Sequence, residues 1–140
     1  MLNVYATLKA KKYFIDNEYL HNYSVLIERN TRTPRRGGQT HQHHILPKSW
    51  FKLTQEPVNN DLNNLVNLSH KDHFLAHYFL CLCTEDPFKY ANELALQCLL
   101  SSYNRRYDTK QLLTNLPLYN NIYEDYVKKL KCSYKLYKGE

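Results

Sequence analysis

HQHHILPKSW (residues 41–50) and NNLVNLSHKDHFLAH (residues 63–77) hold six of the seven histidines of this 140-residue chain. The adjacent pair His43-His44 leads into Ile45-Leu46-Pro47, an apolar run closed by proline that reads as a short strand. A second apolar run, Leu65-Val66-Asn67-Leu68, follows Asn64 and reads as another strand. Ser69 then fits a helix N-cap with Asp72 at the capping-box position, and the helical periodicity after it carries His73 and His77. Two imidazoles four residues apart lie on one helix face, where they can grip one metal ion. Strand, loop, strand and helix, with a His pair on the first strand and His-x3-His on the helix, predict a metal site with a spare base beside it.

This combination resembles the HNH endonucleases, whose core is the ββα-metal or His-Me finger. The resemblance is to the phage-type and homing-type members, and a similar motif occurs in the colicin-type DNases. The family pattern His-His-Ile-x-Pro is met by His43-His44-Ile45-Leu46-Pro47, Asn-Leu-Val-x-Leu by Asn64-Leu65-Val66-Asn67-Leu68, and His-x3-His by His73 and His77. The nine-residue step from Asn64 to His73 also agrees. The match covers about forty of the 140 residues, so it speaks for the core more than for the flanks. Each piece alone is a weak signal, because His pairs in loops and at helical spacing are common; their joint register is specific.

The resemblance implies that His43, His73 and His77 ligate one divalent metal and that His44 is the general base. It also implies that Asn64 braces the loop between the strands and so orients that base. The expected reaction is hydrolysis of phosphodiester bonds, nicking or cutting duplex DNA. Such hydrolysis needs a nucleophilic water, charge relief on the non-bridging oxygens and stabilisation of the departing 3′-oxygen. One metal on an open face supplies the last two, and a neutral imidazole with an ordinary pKa near 6.5 accepts the water's proton. Three neutral ligands leave the ion its full charge. Imidazole suits zinc and nickel, so tight binding of either is expected, with magnesium or manganese serving turnover.

A second class of function stays open at this point: a non-catalytic nucleic-acid-binding module built on structural zinc. That reading predicts a closed four-ligand shell and has no need of a base, so the presence of both His43 and His44 favours the enzyme. His41 and His70 fall off the motif. His41 stands two residues before the pair, where similar phage proteins often carry an acidic residue, and its role is open. His70 reads as an exposed first-turn residue, and His21 as structural.

Composition fits a polyanionic partner. Lys and Arg number 19 against 13 Asp and Glu, a net charge of +6, with a pI of about 9.1. Arg29, Arg32, Arg35 and Arg36 precede the His pair in a polar segment that ends in Gly37-Gly38, Lys48 follows the first strand, and Lys71 opens the metal helix. Their position around the site makes them candidates for phosphate contacts, against the ordinary reading of a solvated loop. Arg105-Arg106 and the C-terminal Lys128, Lys129, Lys131, Lys135 and Lys138 read as solvated faces. Thirteen tyrosines are unusual at this length, and their default role is to fill a core with hydroxyls at its edge.

Four cysteines, Cys81, Cys83, Cys98 and Cys132, form no CxxC pair, so the four-cysteine zinc site of many HNH relatives is not expected. Cys81 and Cys83 read as buried reduced thiols of an intracellular protein. No signal peptide or membrane-length apolar run is present, which points to a cytoplasmic protein, in a host cell if phage-encoded. The expected architecture is α+β and mostly α, one HNH nuclease domain over 1–140. N-terminal helices and a basic loop fill 1–40, the ββα-metal core 41–83, and C-terminal helices 84–140. The N-terminal helices fall within Leu2–Arg29; later ones run from Asp86-Pro87 to about Tyr103, then roughly over 110–115 and 118–137.

Overall fold

A computed structural model describes residues 3–106 of the chain. The helical stretches expected near 110–115 and 118–137, Cys132 and the C-terminal lysines lie outside the described residues. The chain divides into two compact units, Met1–Leu100 and Ser101–Glu140. The first is α+β and mostly helical, with one two-stranded antiparallel sheet followed by a helix.

Two helices come first, α1 (Val4–Lys9) and α2 (Glu18–Arg29). Each has an asparagine N-cap: Asn3 Oδ1 accepts from the Ala6 amide, and Asn17 Oδ1 from the amides of Tyr19 and Leu20. Along α2 the buried side chains are Leu20, Tyr23, Ser24, Leu26 and Ile27, a stripe at helical spacing that turns toward the interior. Leu20, Tyr23 and Ile27 have no solvent exposure. At roughly 1.5–3 kcal/mol for each fully buried large apolar side chain, this stripe outweighs the weak intrinsic helix propensity of a segment so rich in Tyr and Asn.

Strand β1 is Thr40–His44 and strand β2 is Leu65–Ser69. They pair antiparallel, from Thr40 opposite Ser69 to His44 opposite Leu65. The first strand thus lies earlier than its apolar run suggested. Ile45-Leu46 follow the strand as buried core residues, and the histidine pair closes β1. Burial, rather than pairing, accounts for that apolar run. Between the strands lies a helix that the sequence pattern did not reveal, α3 (Lys48–Thr54), which starts directly after Pro47. Trp50 and Phe51 anchor it inside, and Trp50 Nε1 donates to the Lys12 carbonyl.

The helix after β2 is α4 (His70–Leu82). Ser69 caps it as expected, its Oγ accepting from the Asp72 amide. The reciprocal half of the capping box is replaced: Asp72 Oδ2 accepts from Asn30 Nδ2 at the end of α2. Asn30 in turn accepts from the Thr33 hydroxyl, and the Thr33 carbonyl accepts from Asn67 on β2. These bonds tie the end of α2 to the sheet and to the first turn of α4. The exit of α4 is tied to the segment before α2, through Ile15 N to Cys83 O and Glu85 N to Tyr13 O. Helix α5 (Phe88–Arg106) follows Asp86-Pro87, with Phe88, Asn92 and Leu96 buried at four-residue spacing. Cys81 and Cys83 are buried, and burial pushes the Cys83 thiol up to about 12, so it stays a protonated core residue. Cys98 is exposed.

Candidate metal centre

Side chains alternate along a strand and recur every 3.6 residues along a helix. On β1 this sets His41 and His43 on one face and His44 on the other. On α4 it sets His70, His73 and His77 on one side. The two rows interleave. The His41 ring lies 4.3 Å from His70 and 5.1 Å from His73, centroid to centroid, and the His43 ring 5.3 Å from His73 and 5.2 Å from His77. Five imidazoles therefore line the seam between strand and helix.

Within that seam, His43, His73 and His77 each present a ring nitrogen, all within 4.8 Å of one another. These are the three ligands expected from the sequence. His43 is 4 % exposed. His73 and His77 are half-buried. Burial, reinforced by the neighbouring rings, holds His43 well below the usual imidazole range and His73 down to about 2. Burial alone brings His77 to about 4. All three are neutral at physiological pH and offer lone pairs.

The donor set fits a metal ion. His73 Nε2 and His77 Nε2 are 3.1 Å apart, a separation that two imidazoles share when both lie about 2.0–2.1 Å from one ion. His77 Nδ1 is buried with no hydrogen-bond partner, so His77 commits neither nitrogen to the protein outside the triad. Among the described residues the group has three members and no carboxylate or thiolate.

His44 stands apart from the triad. Its Nε2 lies 2.8 Å from Asn60 Oδ1, a side chain on the exposed loop before β2. An amide oxygen only accepts, so His44 Nε2 is the donor in this bond. Asn64 is fully buried and clamps the turn beyond His44. Its Oδ1 accepts from the Leu46 amide, its Nδ2 donates to the carbonyls of Leu46 and Asn59, and its own carbonyl accepts from Ile45 N. The loop that holds Asn60 is thereby fixed to the end of β1.

Three residues near the site were missed or left open by sequence reasoning. His41 Nδ1 lies 2.9 Å from His73 Nδ1 and so steadies a triad ring from outside. His70 is half-buried rather than exposed, because its Nε2 donates to the Gly38 carbonyl while its ring lies edge-on to His41. The signals were present: His41 shares strand parity with His43, and His70 lies one turn before His73. Tyr23, on α2, places its hydroxyl 2.9 Å from His43 Nε2, and no local pattern links the two. His21 is at the surface, stacked on Tyr5.

Of the basic residues singled out in the sequence, Arg29, Arg32, Arg35, Arg36 and Lys48 have exposed side chains and Lys71 a half-buried one. The Arg36–Thr40 turn is closed by Thr40, whose amide donates to the Arg36 carbonyl and whose Oγ1 accepts from the Arg36 amide. Gly38 takes φ +77° there, a conformation open to glycine, and through its carbonyl the turn is pinned to His70. No helix among the described residues is long and apolar enough to cross a membrane. Compared with known proteins, the chain matches no family model, no curated protein and no solved structure.

Proposed function

We propose that this chain is an HNH-type endonuclease of the ββα-metal (His-Me finger) class that hydrolyses phosphodiester bonds in duplex DNA. The observation that carries this reading is the division of labour within the His43-His44 pair. One imidazole joins two helical ones in a neutral three-nitrogen group, and the next points off the opposite strand face, its Nε2 donating to Asn60.

His43, His73 and His77 would hold the metal. When bound, a divalent ion supplies charge relief to the non-bridging phosphate oxygens and stabilises the departing 3′-oxygen. His44 accepts the proton of the attacking water at Nδ1, while Asn60 keeps Nε2 protonated. Asn64 holds the backbone beyond His44 and the Asn59-Asn60 loop, so ring and partner keep their alignment as the charge develops. The exposed arginines and Lys48, with Lys71, bind the phosphate backbone, which positions the duplex without reading its sequence. The three-member donor set found among the described residues favours an open coordination position over the closed shell of a structural zinc module.

Relaxation of supercoiled plasmid by the purified chain, with magnesium, manganese, zinc or no added metal and with His44→Ala alongside, tests the proposal. Metal-dependent nicking or linearisation that fails in the variant is expected. Zinc binding without cleavage under any of these metals would instead assign the chain to the structural class.

A further inference from the structure

We propose that Tyr23 is a positioning residue for the metal centre: its hydroxyl fixes His43 as the Nε2–H tautomer and so presents Nδ1 to the ion. This rests on the metal site proposed above and adds a residue from outside the strand–strand–helix unit. The protons at this hydroxyl can be counted. Tyr23 Oη lies 2.6 Å from the Ile45 carbonyl oxygen and 2.9 Å from His43 Nε2. A phenol has one proton, and a carbonyl oxygen can only accept. The Tyr23 proton is therefore committed to Ile45, and the contact with His43 requires a proton on Nε2, donated to the phenol oxygen. A neutral imidazole so arranged has its lone pair on Nδ1 alone.

Position and burial support the same role. Tyr23 has no solvent exposure and its ring meets His43 nearly edge-on, with centroids 6.1 Å apart at 74°. Packing alone would be served by phenylalanine. The hydroxyl is deep in the core instead of at its edge, and both of its bonds go to the end of β1, one to the ligand and one to the carbonyl two residues on. Outer partners of metal-bound histidines that fix tautomer and ring orientation commonly govern affinity by 10–100-fold. Helix α2 thus sets the chemistry of the site as well as supporting it.

The test uses the full chain, ¹⁵N-labelled at histidine, with zinc ion as the probe. Without metal, wild-type His43 should show a protonated Nε2 and an unprotonated Nδ1 in long-range ¹H–¹⁵N spectra, and zinc should shift the Nδ1 resonance. In Tyr23→Phe, His43 should become a tautomer mixture and zinc affinity should fall by roughly 10–100-fold, with circular dichroism reporting that the fold is kept. A proton on Nδ1 in the wild-type protein, zinc on Nε2, or unchanged tautomer and affinity in the variant would each overturn the proposal. The wild-type spectra decide the matter even if the variant fails to fold. Absence of zinc binding by the wild-type chain would remove the metal site and this role together. A confirmed tautomer and zinc site without plasmid cleavage would sink only the nuclease reading.

Discussion

His44 Nε2 is 2.8 Å from Asn60 Oδ1, and this bond assigns the ring its tautomer from a residue sixteen positions away. Asn60 is exposed, so the net worth of the bond is about 1 kcal/mol. Asn60→Ala should therefore slow plasmid cleavage about fivefold and leave zinc affinity unchanged. His44→Ala should keep fold and metal while lowering cleavage about a hundredfold or more, the range for loss of a general base. Single-turnover rates check both. Wild-type rates in His44→Ala would remove it from the mechanism.

The three-nitrogen group predicts a hierarchy of metal affinities. Loss of His43, His73 or His77 removes a ligand and should weaken zinc binding by several kcal/mol, because structural zinc sites are worth about 10–16 kcal/mol in total. His41→Ala removes only the outer partner of His73 and should cost about 10–100-fold. Isothermal calorimetry on the single variants tests the order. Unchanged affinity in both His73→Ala and His77→Ala would exclude the site.

Acid should destabilise the metal-free protein in a defined window. His73 and His77 titrate at about 2 and about 4 in the folded state against an ordinary 6.5, and His43 is lowered as well. Below pH 6.5 the unfolded chain therefore binds protons that the folded chain does not. Stability is at its full value above 6.5 and falls with pH, by roughly 1.4 kcal/mol per unit for each group. The His77 share levels off near pH 4, and that of His73 continues toward 2. Urea unfolding with chelator at pH 7.5, 6 and 5 measures the slope; a flat profile would mean that these rings are solvated.

Electrostatics predicts a change in salt dependence. Neutralising Arg35 and Arg36 together should weaken binding of unrelated duplexes to a similar degree. The slope of log K against log salt should lessen by roughly 0.9 for each phosphate that the variant no longer neutralises. Titrations at several salt concentrations give the slope. If affinity and slope both stay at wild-type values, the Arg29–Arg36 segment is a solvated loop.

Period and spacing alone determined much of this protein. The four-residue step from His73 to His77, the strand at Leu65–Leu68 and the Ser69 cap could be read from the chain, because each depends on neighbours within one element or one turn; the Asn64 brace was implied only by the family resemblance, since its bonds reach Leu46 eighteen residues away. The helices within Leu2–Arg29 were legible from such local spacing too. The start of β1 and the existence of α3 were not, since Ile45, Leu46, Trp50 and Phe51 carry the same apolar signal whether they pair or simply pack. Tertiary structure alone decided which partners the histidine nitrogens meet. Tyr23 meets His43 across twenty residues, His41 meets His73 across thirty-two, and Asn60 meets His44 across a folded loop. A hydrogen bond fixes a tautomer only when donor and acceptor are within about 3 Å, and packing of α2 and α4 around the sheet is what brings Tyr23 and His41 that close.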